Sequence, residues 1–327
     1  MSNLSGVLYV GQYITCPRFW TALDGEEKRE KGMVMDMSLL EIRGLETEFQ
    51  TEQGVVKALR GIDYTVDKGE VLGIVGESGS GKSVGMLSLM GLLAPNGTVT
   101  AGEMIFDGED ISPVKYKTKK EKKEYEKKMN AIRGNDISMI FQDPMSYLNP
   151  IVTIEKQMTE GIRAHDKCSK QEARERAIEL MKMVGIPAPE SRLKQYPFEF
   201  SGGMRQRIII AIALACNPKL IVADEPTTAL DVTVQAQILD LLRKITEESD
   251  AGVIIITHDL GVVASLCDRI SIMYGGNIME EGTTDEIFYD PKHPYTKGLL
   301  NSIANSNADH RDCLLYTSPS PRDGATS

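Results

Sequence analysis

Eight consecutive residues, Gly76-Glu77-Ser78-Gly79-Ser80-Gly81-Lys82-Ser83, have the types and spacing needed to cradle a nucleoside triphosphate. Glycines at 76, 79 and 81 let the backbone turn tightly, so its N–H groups, with Ser78 among them, converge on a phosphate at a helix N-terminus, where the dipole favours anions. Lys82 adds a positive charge and the Ser83 hydroxyl a ligand for Mg²⁺. With glycine at about 7% of residues, a chance match to this pattern is about one in a hundred for a chain of this length, which sets aside a flexible Gly/Ser linker.

Two further stretches carry chemistry. In Leu220-Ile221-Val222-Ala223-Asp224-Glu225 an apolar strand delivers adjacent carboxylates at its C-terminal end, where ligands sit in open α/β sheets. Asp224 suits the Mg²⁺ shell, and Glu225 suits a general base that reaches an attacking water. Ser201-Gly202-Gly203-Met204-Arg205-Gln206-Arg207 opens a long helix, so the Ser201 hydroxyl and the N–H groups of Gly202 and Gly203 form a second anion-binding helix N-terminus.

The elements that must position these groups follow from periodicity. An apolar run at 71–75 leads into the phosphate loop, and a helical segment follows it. Further β-type runs at 137–141, 220–223 and 253–257 alternate with helical patterns such as 170–184 and 235–249, which predicts a parallel sheet covered on both faces. Alternation at 39–43 and two short runs within 55–66 predict a small antiparallel sheet ahead of the loop. The Lys- and Glu-crowded stretch 115–128 predicts a solvated helix, and apolar runs around Gly275-Gly276 within 269–282 predict a hairpin. No internal repeat or Pro-rich linker divides the 327 residues, so they are read as one domain with inserted lobes.

Bulk properties exclude several classes. A net charge of −10 argues against a protein that coats nucleic acid, because phosphate neutralisation needs clustered Lys and Arg. Five scattered cysteines with no C-x-x-C pair, and only four histidines, indicate neither a disulfide framework nor a zinc site, and fit a reducing cytoplasm. The longest apolar runs, at 208–216 and 253–256, fall short of the ~18 residues a membrane span needs, so a membrane role is expected to come through a partner. The N-terminus has no basic patch leading into an apolar core and does not read as a secretory signal.

With these motifs in place the chain resembles the ATP-binding-cassette ATPases, over roughly Leu39 to Ser302. Ser201, Gly202 and Gly203 match the family's signature motif, while Met204 stands where that motif usually has Gln. Gln142, in Phe141-Gln142-Asp143-Pro144, matches the glutamine that touches Mg²⁺ and senses a transmembrane partner. His258 matches the switch histidine that hydrogen-bonds the γ-phosphate, and Asp231, in Ala229-Leu230-Asp231, matches the loop that crosses to a second subunit. Phe49 sits where the family stacks an aromatic ring on adenine, with a core role as the other reading of that side chain. The resemblance implies a P-loop NTPase (RecA-like) core at 37–302, an N-terminal antiparallel β subdomain, and an inserted α-helical signature subdomain at about 143–215. It also implies a head-to-tail dimer with two ATP molecules at the interface.

Within the family, the segments Gln142-Asp143-Pro144-Met145-Ser146-Tyr147-Leu148-Asn149-Pro150 and Pro291-Lys292-His293-Pro294-Tyr295-Thr296 resemble those of dipeptide, oligopeptide and nickel importers. The implied role is a peripheral ATPase on the cytoplasmic face of the plasma membrane. It would drive two transmembrane permease subunits, beside a second ATPase subunit, and be served indirectly by an extracytoplasmic solute-binding protein. Alternatives are the same role for nickel or another small solute, a soluble cassette ATPase, which would need a tandem cassette or a coiled-coil insertion, and a regulatory module, which would lack Glu225 or His258. Residues 1–36 are expected to lie outside the fold, as a disordered arm or as a mis-called start preceding Met33, Met35 or Met37. Residues 303–327 read as a truncated tail that lacks the group's Cys- and Pro-rich extension, and 313–323 resemble a translated sequencing adapter.

Overall fold

The structure, a computed structural model, describes residues 38–141, 147–227, 230 and 232–304. The expectations for 1–36 and for 313–323 lie outside these residues. All the described residues belong to the second of two units into which the chain divides, Met37–Ser327.

In chain order the strands are β1 (Leu40–Thr51), β2 (Gly54–Val66), β3 (Val71–Val75), β4 (Gly97–Phe106), β5 (Glu109–Asp110), β6 (Ile137–Ile140), β7 (Leu220–Asp224), β8 (Gly252–Thr257), β9 (Arg269–Tyr274) and β10 (Asn277–Thr283). The longer helices are α1 (Lys82–Leu89), α2 (Lys119–Ile132), α3 (Ile154–His165), α4 (Lys170–Met183), then, past the single turn α5 (Pro189–Arg192), α6 (Gly202–Ala213) and α7 (Val232–Glu248). Three more follow: α8 (Leu260–Leu266), α9 (Thr284–Tyr289) and α10 (Pro294–Ala304).

Six strands form one sheet in the order β10-β9-β3-β8-β7-β6, parallel throughout except for the antiparallel edge pair β9–β10. Successive side chains on a strand point to opposite faces, and here both faces are buried. Val71, Val75, Ile221, Ala223, Val253 and Ile255 join the core shared with α3, α4, α6, α7 and α8. Their neighbours Leu72, Ile74, Leu220, Val222, Ile254 and Ile256 join the core under the second sheet, α1 and α2. This is why these strands read as continuous apolar runs.

The second sheet is antiparallel, in the order β2-β1-β4-β5. Two expectations are corrected here. The two short runs within 55–66 are one strand of 13 residues, because pairing with β1 carries the backbone through the polar positions between them. The sheet is not completed ahead of the phosphate loop either: β4 and β5, which follow α1, pair beside β1 and extend it.

Helix α2 starts later than the charged run suggests. Thr118 caps it, its hydroxyl accepting from Glu121 N–H while the Glu121 carboxylate accepts from Thr118 N–H. Tyr125, Met129 and Ile132, spaced by four and three, bury one face, so the helix is solvated on its other side only. Between β6 and β7 the helices α3 to α6 form the inserted lobe, packed through Ile154, Met158, Ile162, Ala177, Met181 and Ile210. The architecture is the one expected: a parallel core, an antiparallel β subdomain and a helical insert. Its functional consequence is that β3, β8 and β7 are consecutive, so their C-terminal ends open on one edge.

Candidate active site

The phosphate loop runs from the end of β3 into α1. Gly79 and Gly81 have φ of +82° and +103°, a region that glycine enters without steric cost. Gly76 is required for a different reason: a Cβ there would lie 2.1 Å from the Met273 carbonyl oxygen. Lys82, the first residue of α1, is buried, and its Nζ donates to the carbonyls of Gly76 at 2.6 Å and Glu77 at 2.8 Å. Burial pushes the Lys82 pKa down, opposed by the carboxylates of Glu225, Asp224 and Glu77. Ser78 and Gly79 are exposed at the mouth of the loop.

Two strands away, β7 ends in buried Asp224, and Ser83 Oγ donates to its Oδ1 at 3.1 Å. Burial above all, with the neighbouring Glu225 charge, raises the Asp224 pKa, while Ser83 and Lys82 hold it back. A hydroxyl and a carboxylate side by side are hard oxygen donors of the kind Mg²⁺ takes, and Mg²⁺ commonly uses one or two protein oxygens together with substrate phosphates and waters. No group of three or more His, Cys, Asp or Glu able to hold a metal occurs among the described residues, so Mg²⁺ at this point would depend on phosphate oxygens as well.

Glu225 sits just past β7 with φ of +47°, a left-handed conformation rare for a residue with a side chain. The strand alternation is thereby broken, so that two sequence neighbours serve one site. Glu225 N–H donates to Ile256 O at 2.8 Å, tying the turn to β8, and the Glu225 carboxylate Oε1 lies 3.1 Å from Nδ1 of His258, which follows β8. His258 is exposed, its side chain free to meet a ligand at the sheet edge.

Ser201 caps α6, its Oγ accepting from Met204 N–H at 3.4 Å. Ser201 and Gly202 are exposed, and Gly203 is forced by close helix approach: a Cβ there would lie 2.7 Å from Val234 Cγ1 on α7. Among the described residues the three make no hydrogen bond to the phosphate loop. Phe49, near the end of β1, is half-buried and lies over Gly97 of β4, where a Cβ would be 2.7 Å from its ring. Gln142 and Asp231 lie outside the described residues. The structure thus brings together the loop, Lys82, Ser83, Asp224, Glu225 and His258, and among the described residues no hydrogen bond joins Ser201–Gly203 or Phe49 to that cluster.

Sequence reasoning missed two contributors. Gln206 is buried on α6 and donates through Nε2 to Pro226 O at 2.8 Å, linking the signature helix to the turn after Glu225. Its signal was an uncharged amide between Arg205 and Arg207, just ahead of the apolar run 208–213. The β9–β10 turn also meets the loop, through Gly276 N–H to Ser80 O at 2.9 Å, and nothing local in the sequence announces that contact.

A phosphate-cradling loop, paired carboxylates and a histidine on adjacent parallel strands define a P-loop nucleoside-triphosphatase cassette. The family profile described as "ABC transporter" matches residues 59–228, and "Oligopeptide/dipeptide transporter, C-terminal region" matches 279–323, which includes the Pro291–Thr296 segment and the stretch read above as a translated adapter. The chain belongs to the ABC transporter family, as one of its ATPase subunits. It is 51% identical over 292 residues to the oligopeptide transport ATP-binding protein OppD of Bacillus subtilis (strain 168), covering 89% of this chain and 79% of that one. It is 52% identical over 266 residues to the dipeptide transport ATP-binding protein DppD of the same organism, covering 81% and 76%. Among solved structures it is similar to the dimeric post-hydrolysis state of the ATP-binding cassette MJ0796 bound to ADP and Pi, at 28% identity and a TM-score of 0.63, covering 75% of this chain and 98% of that one.

Proposed function

We propose that this chain is the ATPase subunit of an importer of dipeptides and oligopeptides, lying on the cytoplasmic face of the membrane and driving two transmembrane permease subunits. The observation that carries this reading is the identity of about half of all aligned residues to peptide-transport ATPases, joined to the match at 279–323. No helix among the described residues is long and apolar enough to cross a membrane; in this reading the permeases form the path and a solute-binding protein feeds it.

In the proposed cycle, loop residues 76–83 hold the ATP phosphates, with Lys82 supplying charge, and Phe49 stacks on adenine. Ser83, Asp224 and Gln142 would hold Mg²⁺, which when bound offsets phosphate charge. Glu225 takes a proton from the attacking water, and His258, held beside Glu225 Oε1, reaches the γ-phosphate. Ser201, Gly202 and Gly203 at the exposed start of α6 close over the nucleotide of a second ATPase subunit, a copy of this chain or a sister, and Asp231 crosses the same interface.

Ser201→Arg is therefore expected to leave ATP binding to a single subunit intact while abolishing ATP-dependent dimerisation and turnover, because the larger side chain blocks the helix N-terminus. Light scattering with and without ATP reads the first, phosphate release the second; surviving hydrolysis rules out the cross-subunit arrangement.

Residues 143–150 are proposed to line the groove for a permease. Exposed Ile151 and half-exposed Tyr147, whose ring stacks on Phe141 just past β6, put apolar surface in this stretch and support the placement. Single cysteines at 147 to 150 are expected to crosslink to co-expressed permease, and membrane vesicles carrying the complex to take up labelled dipeptide with ATP. Failure of all crosslinks overturns the permease partner, and ATP-driven nickel uptake in place of peptide overturns the solute.

A further inference from the structure

The phosphate loop is braced from behind by a part of the chain that the cassette profile, ending at residue 228, does not cover. The hairpin of β9 and β10 presses on it twice: the Met273 carbonyl fills the space a Gly76 Cβ would need, and Gly276 N–H holds Ser80 O at 2.9 Å. Tyr274, between these contacts, packs against Tyr295, with ring centroids 4.7 Å apart and planes at 44°. Tyr295 belongs to the first turn of α10, within the region matched at 279–323.

The Tyr295 hydroxyl is fully enclosed and lies against the backbone of Glu77, close enough to interact with it but without a well-formed hydrogen bond. Burial, reinforced by the Glu77 carboxylate and opposed by the Glu77 backbone, pushes its pKa up to about 12, so it is a neutral donor and acceptor at working pH. An enclosed hydroxyl whose hydrogen bond is poorly formed costs free energy, and such a group needs an account. Its neighbour supplies one. Glu77 O already accepts from Lys82 Nζ at 2.8 Å and from Ser80 N–H at 3.2 Å, so the peptide groups flanking Glu77 set where the lysine charge sits.

Tyr295 is itself held firmly. Its N–H donates to His293 Nδ1 at 3.1 Å, and the Glu280 carboxylate on β10 accepts from the N–H groups of Lys292 and of His293, at 2.5 and 3.0 Å. The segment before α10 is thus fastened to the same hairpin that presses on the loop.

We propose that Tyr295 is a positioning residue for ATP binding: its hydroxyl engages the Glu77 backbone as the loop closes on the phosphates, so that the C-terminal segment sets the grip of the phosphate loop. The proposal rests on the ATP-binding role of that loop. It makes the C-terminal region a determinant of nucleotide affinity, not only an appendage of the cassette.

Tyr295→Phe tests it in the full chain, because the ring and its packing on Tyr274 are kept and only the oxygen is removed. The expected result is a KM for ATP raised about fivefold to tenfold, a neutral hydrogen bond's worth, with kcat within twofold and the nucleotide-free Tm equal to or above the native one. A purely structural role would move Tm and leave KM unchanged. A Tyr295→Phe KM within twofold of native overturns the proposal, whatever its Tm. Lys82→Ala, measured alongside, separates this from failure of the loop assignment: if that variant binds ATP normally, the loop reading itself is wrong, whereas its loss of binding beside an unaffected Tyr295→Phe removes only the role of Tyr295.

Discussion

Glu225→Gln is expected to retain ATP affinity while turnover falls by about 10² to 10⁴, the usual contribution of a general base. The substitution preserves shape, so the left-handed turn at 225, its N–H bond to Ile256 O and the 3.1 Å approach to His258 Nδ1 all survive. Only the basic oxygen proposed to accept the water's proton is lost. Because ATP then stays intact, a nucleotide-bound dimer is expected to persist on gel filtration where the native protein returns to monomer as it hydrolyses. Phosphate release measured at saturating ATP checks the first effect, and the elution volume checks the second. Near-normal hydrolysis would take the role away from Glu225 and pass it to another group at the edge where β7 and β8 end.

The left-handed backbone at Glu225 also shows where sequence reading stops. The apolar run ahead of Asp224 announces a buried strand, and adjacent carboxylates announce chemistry, but strict alternation would send their side chains to opposite faces. What lets both serve one site is a φ of +47°, sustained by a bond to a neighbouring strand, and no local signal encodes that. Residues 76–83 were legible because their glycine spacing is a motif in itself, although what holds Gly76 to glycine is the Met273 carbonyl on β9, far along the chain. Gly203 was legible only as part of a motif; its steric cause is Val234, on a different helix.

The same division runs through the fold. Strands β3, β7 and β8 are buried on both faces and therefore uniformly apolar, so they stand out in a single pass along the chain. Strand β4, Gly-Thr-Val-Thr-Ala-Gly-Glu-Met-Ile-Phe, is half solvated and interrupted by Gly102, and it becomes a strand through its partners on β1, such as Met104 opposite Ile42. Likewise the polar residues in the middle of β2 are carried by the β1 ladder. The contact of Tyr295 with the loop has no sequence signature at all, since both partners are separately explained, one by a phosphate motif and the other by resemblance to a transporter subgroup.

Lys82→Ala is expected to abolish tight ATP binding. Hydrogen bonds from a charged donor contribute about 1.5 to 3 kcal/mol each, and every 1.4 kcal/mol is tenfold in affinity, so the loss of one or two phosphate contacts weakens binding by about tenfold to 10⁴-fold. The starting geometry makes the larger end of that range the expectation. Lys82 Nζ is buried, and it donates to the Gly76 and Glu77 carbonyls, so it both supplies charge and ties the loop's ends together. Burial already disfavours its charged form, and Glu225, Asp224 and Glu77 sustain it. Alanine leaves those carboxylates facing incoming phosphates with no cation between them, so repulsion adds to the missing bonds. Titration of the full chain with ATP measures the change, and a cooperative thermal melt confirms that the variant is folded. The two substitutions should then fail in opposite ways, Glu225→Gln holding nucleotide without turning it over and Lys82→Ala never acquiring it. Native affinity in Lys82→Ala would sink the assignment of residues 76–83 as the phosphate site.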